Sequence, residues 1–108
     1  MELFDLLMSR RSGGGNHIHV NGITGAENVK LKNNVKPGAL AVDLKGDTLT
    51  GKLLKGQILV IDGMKYTVTE DTYPAVINSI LGAYVTPKPD YEIPVDTPVQ
   101  IYDGVEYV

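Results

Sequence analysis

Two histidines, His17 and His19, stand at i and i+2 in the segment H-I-H-V-N-G. On an extended strand this spacing turns both imidazoles to one face, where they could share a metal ion. A pair supplies two ligands at most, whereas a divalent metal takes about four to six. Glu27 is the sole carboxylate close by in sequence, so a single chain makes no metal site from this pair. The expectation is a polar, solvent-facing strand side and no cofactor. A second motif, G-D-T-L-T-G-K-L over residues 46–53, satisfies the phosphate-loop pattern G-x-x-x-x-G-K. It fails at the next position, where Leu53 replaces the magnesium-binding Ser or Thr, and Gly56 arrives too soon for the helix that would hold the phosphates. The same residues read as a turn, a short strand carrying Leu49 and Leu53, and a loop.

Other catalytic chemistry is equally thin. There is no cysteine, and the three serines, Ser9, Ser12 and Ser79, sit in no G-x-S-x-G context. Glu70-Asp71 and Asp90 with Glu92 are paired acids, but adjacent or alternate acids in loops are solvated charge. An enzyme, and with it a small-molecule substrate, is not expected. With 10 Lys and Arg against 13 Asp and Glu, the net charge of −3 offers no counter-ion surface to a nucleic-acid backbone. No apolar run approaches the roughly 20 residues of a membrane helix. Residues 1–8 are too short and too acidic for a signal peptide. The absence of cysteine suits assembly in a reducing compartment.

The elements that would position these residues are short strands and turns. Twelve glycines and six prolines in 108 residues, with one Phe and no Trp, point to a single mainly β domain, a small barrel or sandwich of antiparallel strands. The best-specified stretch is G-Q-I-L-V-I-D-G-M-K-Y-T-V-T, residues 56–69, a hairpin about the two-residue turn Asp62-Gly63. That turn sets Ile61 against Met64, Leu59 against Tyr66 and Gln57 against Val68 on the core side. Val60 then faces Lys65, and Ile58 faces Thr67, on the other. The first strand is apolar on both faces and belongs inside a sheet; the second alternates and belongs nearer solvent or an edge.

Around this hairpin the chain divides into residues 1–15, an arm, and 16–108, the β domain. Residues 2–11 fit a short amphipathic helix with Leu3, Phe4, Leu6 and Leu7 as its stripe, and Ser12-Gly13-Gly14-Gly15 makes a joint. Asn21-Gly22 signals a second hairpin, with Ile18 and Val20 on one face of its first strand and the histidines on the other. Residues 39–44 suit a strand. Residues 74–81 suit a second short helix capped by Thr72 and ended by Gly82, with a strand as the alternative. Four prolines between Pro87 and Pro98 impose extended backbone on residues 86–98, as an interface arm or a loop over the barrel. Leu3, Phe4, Leu6 and Leu7, with Pro87, Pro89, Tyr91, Ile93 and Pro94, are thus the expected inter-subunit contacts. Asp103-Gly104 repeats the turn grammar of the centre near the end of the chain.

The run L-L-K-G-Q-I-L-V-I-D-G-M-K-Y-T-V, residues 53–68, resembles the central hairpin of the small head-to-tail joining, or tail-attachment, proteins of long-tailed bacteriophages. A basic residue and glycine precede a strand, a glycine turn, and an aromatic-x-Val strand. The amphipathic start followed by a flexible stretch is similar to that family as well. The resemblance implies a virion structural protein made in the host cytoplasm, a homo-oligomer whose partners are capsid, portal or adaptor, and tail proteins. The chain departs from the family in its proline segment and in H-I-H-V-N-G. The same features suit a capsid decoration protein or a head-fibre base. The H-x-H pair is similar to those that hold iron at the tips of trimeric phage spikes, and a cellular β-barrel binding module is the reading outside the phage class.

Overall fold

Strands that alternate one buried and one exposed residue can bury their apolar face only against one another, and here six of them do so by closing on themselves. A computed structural model describes residues 18–73 and 76–104. Among these are eight strands: β1 (Ile23–Thr24), β2 (Val29–Leu31), β3 (Ala41–Lys45), β4 (Thr50–Gly51), β5 (Ile58–Ile61), β6 (Met64–Val68), β7 (Ser79–Thr86) and β8 (Pro98–Tyr102). The closed barrel runs β2-β3-β7-β6-β5-β8, every neighbour antiparallel, and β1 with β4 forms a separate two-stranded ribbon. The expected mainly β class and the barrel architecture are therefore what the chain adopts. The interior is filled by alternate residues of the strands, Leu31, Leu44, Leu59 and Ile80 among them, all with no exposed surface. Burying each such side chain contributes about 1.5–3 kcal/mol relative to leaving it exposed.

The central hairpin pairs in the expected register: Ile58↔Thr67, Leu59↔Tyr66, Val60↔Lys65 and Ile61↔Met64. Asp62 at φ 53° and Gly63 at φ 77° give the two left-handed residues of a type I′ turn. β5, apolar on both faces, lies between β6 and β8 with all four residues buried. Two expectations need correction. β6 is not at an edge, because closure leaves the barrel none and β6 lies between β5 and β7. Met64, the first residue after the turn, is 47% exposed rather than in the core, although its cross-strand partner Ile61 is buried.

Of the two alternatives for residues 74–81, the short helix gives way to the strand: residues 79–86 are strand β7, and the described residues contain no helix. Asn78 (φ 63°) takes a left-handed conformation that the interior of an α-helix does not accommodate, and Ile80, Ala83 and Val85 complete the barrel wall. Leu81-Gly82 together oppose the single residue Asp43, a β-bulge between the pairs Val42↔Ala83 and Leu44↔Ile80. The freed Gly82 N–H donates to Asp43 Oδ1 at 2.8 Å, and Asn33 Nδ2 donates to Oδ2 at 2.8 Å. Thr72, suited by type to cap a helix, instead accepts the Leu53 N–H on its hydroxyl (2.9 Å) and donates its own N–H to the Leu53 carbonyl (3.0 Å). Pro74, Ala75 and the arm with its expected helix lie outside the described residues.

The second hairpin reduces to a Val20↔Ile23 bridge, because Ile23–Thr24 pairs with Thr50–Gly51 instead of continuing back along residues 18–19. Gly51 is required there: a Cβ would run into the carbonyl of Gly22. The second glycine of the apparent phosphate loop thus serves a close backbone approach in a strand. These glycines separate two kinds of cost. Gly63 has open space around a Cβ, so Gly63→Val should cost about 2–3 kcal/mol from positive φ alone and lower Tm by roughly 10 °C or more. Gly63→Asn should be nearly neutral and Gly51→Ala worse than either; thermal melts showing Gly63→Val unchanged, or Gly51→Ala tolerated, would contradict this assignment.

Candidate interaction surfaces

The two open ends of the barrel are plugged in different ways, and most residues singled out from the sequence belong to the plugs. At one end Gln57, only 3% exposed, is the hub. Its Oε1 accepts the Leu54 N–H at 2.7 Å, and its Nε2 donates to the Asn21 carbonyl and to Asp103 Oδ1, both at 2.8 Å. Asp103 Oδ1 also accepts the Asn21 N–H at 2.8 Å, while its Oδ2 is buried without a partner. The turns Asn21-Gly22 and Asp103-Gly104 are thereby clamped to one amide, with positive φ at Gly22 (81°) and Gly104 (105°). His19 is exposed, its Nε2 3.3 Å from Asn21 Oδ1. His17 lies outside the described residues, as do Leu3, Phe4, Leu6, Leu7 and residues 105–108.

At the other end the proline segment folds back on its own barrel. Ile93 is 1% exposed and exchanges backbone hydrogen bonds with Val35 (2.8 and 2.9 Å). Pro89 is buried, its carbonyl accepting the Gly38 N–H at 2.7 Å. Ile93 and Pro89, expected at an interface, are instead sealed within their own chain, because the loop over residues 32–38 supplies the backbone partners and apolar cover that the sequence does not place beside them. Pro87 and Pro94 are exposed and Tyr91 is half-buried. The Tyr91 hydroxyl donates to Asp62 Oδ2 at 2.8 Å and so pins the central turn. That hydrogen bond, ahead of burial and the Asp62 charge, pushes the Tyr91 phenol from the ordinary 10.0 up to about 12. Burial, then the charges of Asp90 and Asp62, also raise Tyr66.

Two surface features were not singled out from the sequence. The connection from β6 to β7 holds Tyr73 (89% exposed), Val76 (56%) and Ile77 (82%) out in solvent. Their run, T-Y-P-A-V-I-N, reads as an apolar helix face, and nothing in residue type alone reveals that it has no core to enter. The second feature is a polar cleft of about 780 Å³ lined by Lys30, Lys32, Lys45, Asn28, Asn78 and Ser79, with Asp47, Asp96 and Gly46. Register aligns Pro98↔Lys30↔Lys45↔Ser79 across four adjacent strands. Lys45 pairs with Asp96, and this hydrogen bond and charge, with a smaller contribution from Lys30, hold the Asp96 carboxyl below its ordinary range. Lys32 Nζ donates to Ser79 Oγ at 3.1 Å. The alternation V-K-L-K was a legible sign of an outward lysine face, but not of what lies across from it. No group of three metal-ligating side chains gathers among the described residues. The chain matches no protein-family model, no curated protein and no solved structure.

Two outcomes follow from the plugs. Gln57→Ala leaves the Leu54 N–H, the Asn21 carbonyl and Asp103 without their partner, and should cost about 2–4 kcal/mol in chemical denaturation; a loss below about 1 kcal/mol would show that water replaces the amide. Above the unfolded tyrosine pKa of 10.0, the folded chain holds the Tyr91 proton that the unfolded chain has released, so this contribution to stability is full below pH 10 and vanishes as pH rises toward about 12. Absorbance titration should show a late-ionising phenol that Tyr91→Phe removes. If the phenol lost on Tyr91→Phe were instead one that ionises near 10, the assignment would fail.

Proposed function

We propose that the chain is a non-enzymatic structural subunit of a tailed-phage-like particle, a head-to-tail joining or tail-attachment component that assembles through its loops. The observation that carries this reading is the exposed run Tyr73, Val76 and Ile77, in which Tyr73 (89%) and Ile77 (82%) are the most exposed large apolar side chains among the described residues. The closed barrel offers a partner no strand edge to extend, and the β1–β4 ribbon has strands of only two residues, so recognition falls to side chains and loops. Large aromatic and aliphatic groups held in solvent mark such surfaces. The resemblance of residues 53–68 supplies the particle context. Several carboxylates that a hydrolase would employ are committed to structural bonds, including Asp43, Asp62, Asp96 and Asp103.

The reading is tested on particles. Mass spectrometry of purified particles from the host should recover the chain, and the double substitution Tyr73→Ser, Ile77→Ser should leave Tm unchanged while reducing incorporation at least tenfold. Loss of the protein should yield filled heads separate from tails. Intact tailed particles lacking only this chain would instead assign it to decoration, and absence from particles would remove the reading altogether.

A further inference from the structure

We propose that the lysine-lined cleft is a binding site for an acidic peptide segment. Lys30 and Lys45 are direct cross-strand partners, an arrangement of like charges that destabilises a sheet unless something compensates it. Inside the chain the compensation is incomplete. Asp96 bonds Lys45, Lys32 spends its ammonium on the neutral hydroxyl of Ser79, and Lys30 forms no hydrogen bond or ion pair among the described residues. Three ammonium groups therefore face two carboxylates, Asp47 and Asp96, in a cleft on a chain of net charge −3.

The chemistry of the lining selects the ligand. A volume of about 780 Å³ takes several residues of extended chain rather than a single small anion. Asn28 and Asn78 line it with amides that both donate and accept, as peptide groups require, while the lysines meet carboxylates. Among the described residues no aromatic ring lines the cleft to stack a base, and Asp47 and Asp96 on its walls oppose a continuous phosphate backbone. Because the chain as a whole repels acidic peptides, any that bind do so through a local site. This assignment is independent of a role in a particle.

Fluorescence anisotropy with the full chain and fluorescein-labelled hexaglutamate tests it at low salt. Binding should saturate and should weaken about tenfold in Lys30→Ala, the loss expected for one charged contact. Tm should not fall, because the Lys30 side chain forms no hydrogen bond or ion pair among the described residues and its removal relieves the repulsion from Lys45. Lys30→Arg should restore binding, and Lys88→Ala, an exposed lysine on the proline segment, should leave it within about twofold. Absence of saturable binding overturns the proposal, as does an equal loss in Lys30→Ala and Lys88→Ala, which would mark diffuse charge. Tighter binding of an oligothymidylate than of hexaglutamate overturns it in favour of a phosphate-reading surface.

Discussion

The structure depends on one seam. β2 and β8 close the barrel through two register pairs, Val29↔Val99 and Lys30↔Pro98. Two backbone bonds extend the seam, from the Leu31 N–H to the Thr97 carbonyl and from the Asp96 N–H to the Leu31 carbonyl, both 3.0 Å. Without it β2 and β8 would each be an edge, and the inward residues of both would face water. Proline at the first position of β8 is tolerated because a strand start needs no ladder donor. Closure joins segments some seventy residues apart, so the wall is completed by contacts of long sequence separation.

Closing a short-stranded barrel leaves two holes, and the chain fills them by different physics. The end near β1 and β4 is held by a buried amide that satisfies three segments at once, with Leu49 and Leu53 fully buried nearby. Its weak point is Asp103 Oδ2, buried without a partner beside a well-bonded Oδ1. The opposite end is closed by apolar contact and backbone pairing between the loop before β3 and the proline segment. The Lys36–Glu92 pair that also joins them is exposed on both sides and contributes little. A segment with the composition of a free arm is thus consumed in sealing its own domain.

What remains for partners is what the two plugs do not use. The barrel wall is without edges, and the β6–β7 connection is anchored at Thr72 on one side and at Asn78, whose N–H donates to the Leu49 carbonyl, on the other. Between these anchors Tyr73, Val76 and Ile77 are held in solvent. The lysine face of β2 and β3 is a consequence of the same wall: inward Leu31 and Leu44 force Lys30, Lys32 and Lys45 outward together.

The sequence by itself determined the mainly β class, the central hairpin with its register and turn, and the buried set Leu59, Ile61, Tyr66 and Val68. These follow from strict alternation and from a dipeptide whose backbone preference is local, so no distant contact is needed to decide them. Tertiary structure alone decided between helix and strand for residues 79–81 and that Met64 lies outside the core. It also decided that Pro89 and Ile93 are sealed in and that Tyr73, Val76 and Ile77 are left out. Each of these turns on which surface a segment meets after closure. An apolar residue carries the same hydrophobic free energy wherever it stands in the chain, and only the geometry of the closed barrel determines whether an interior is there to receive it.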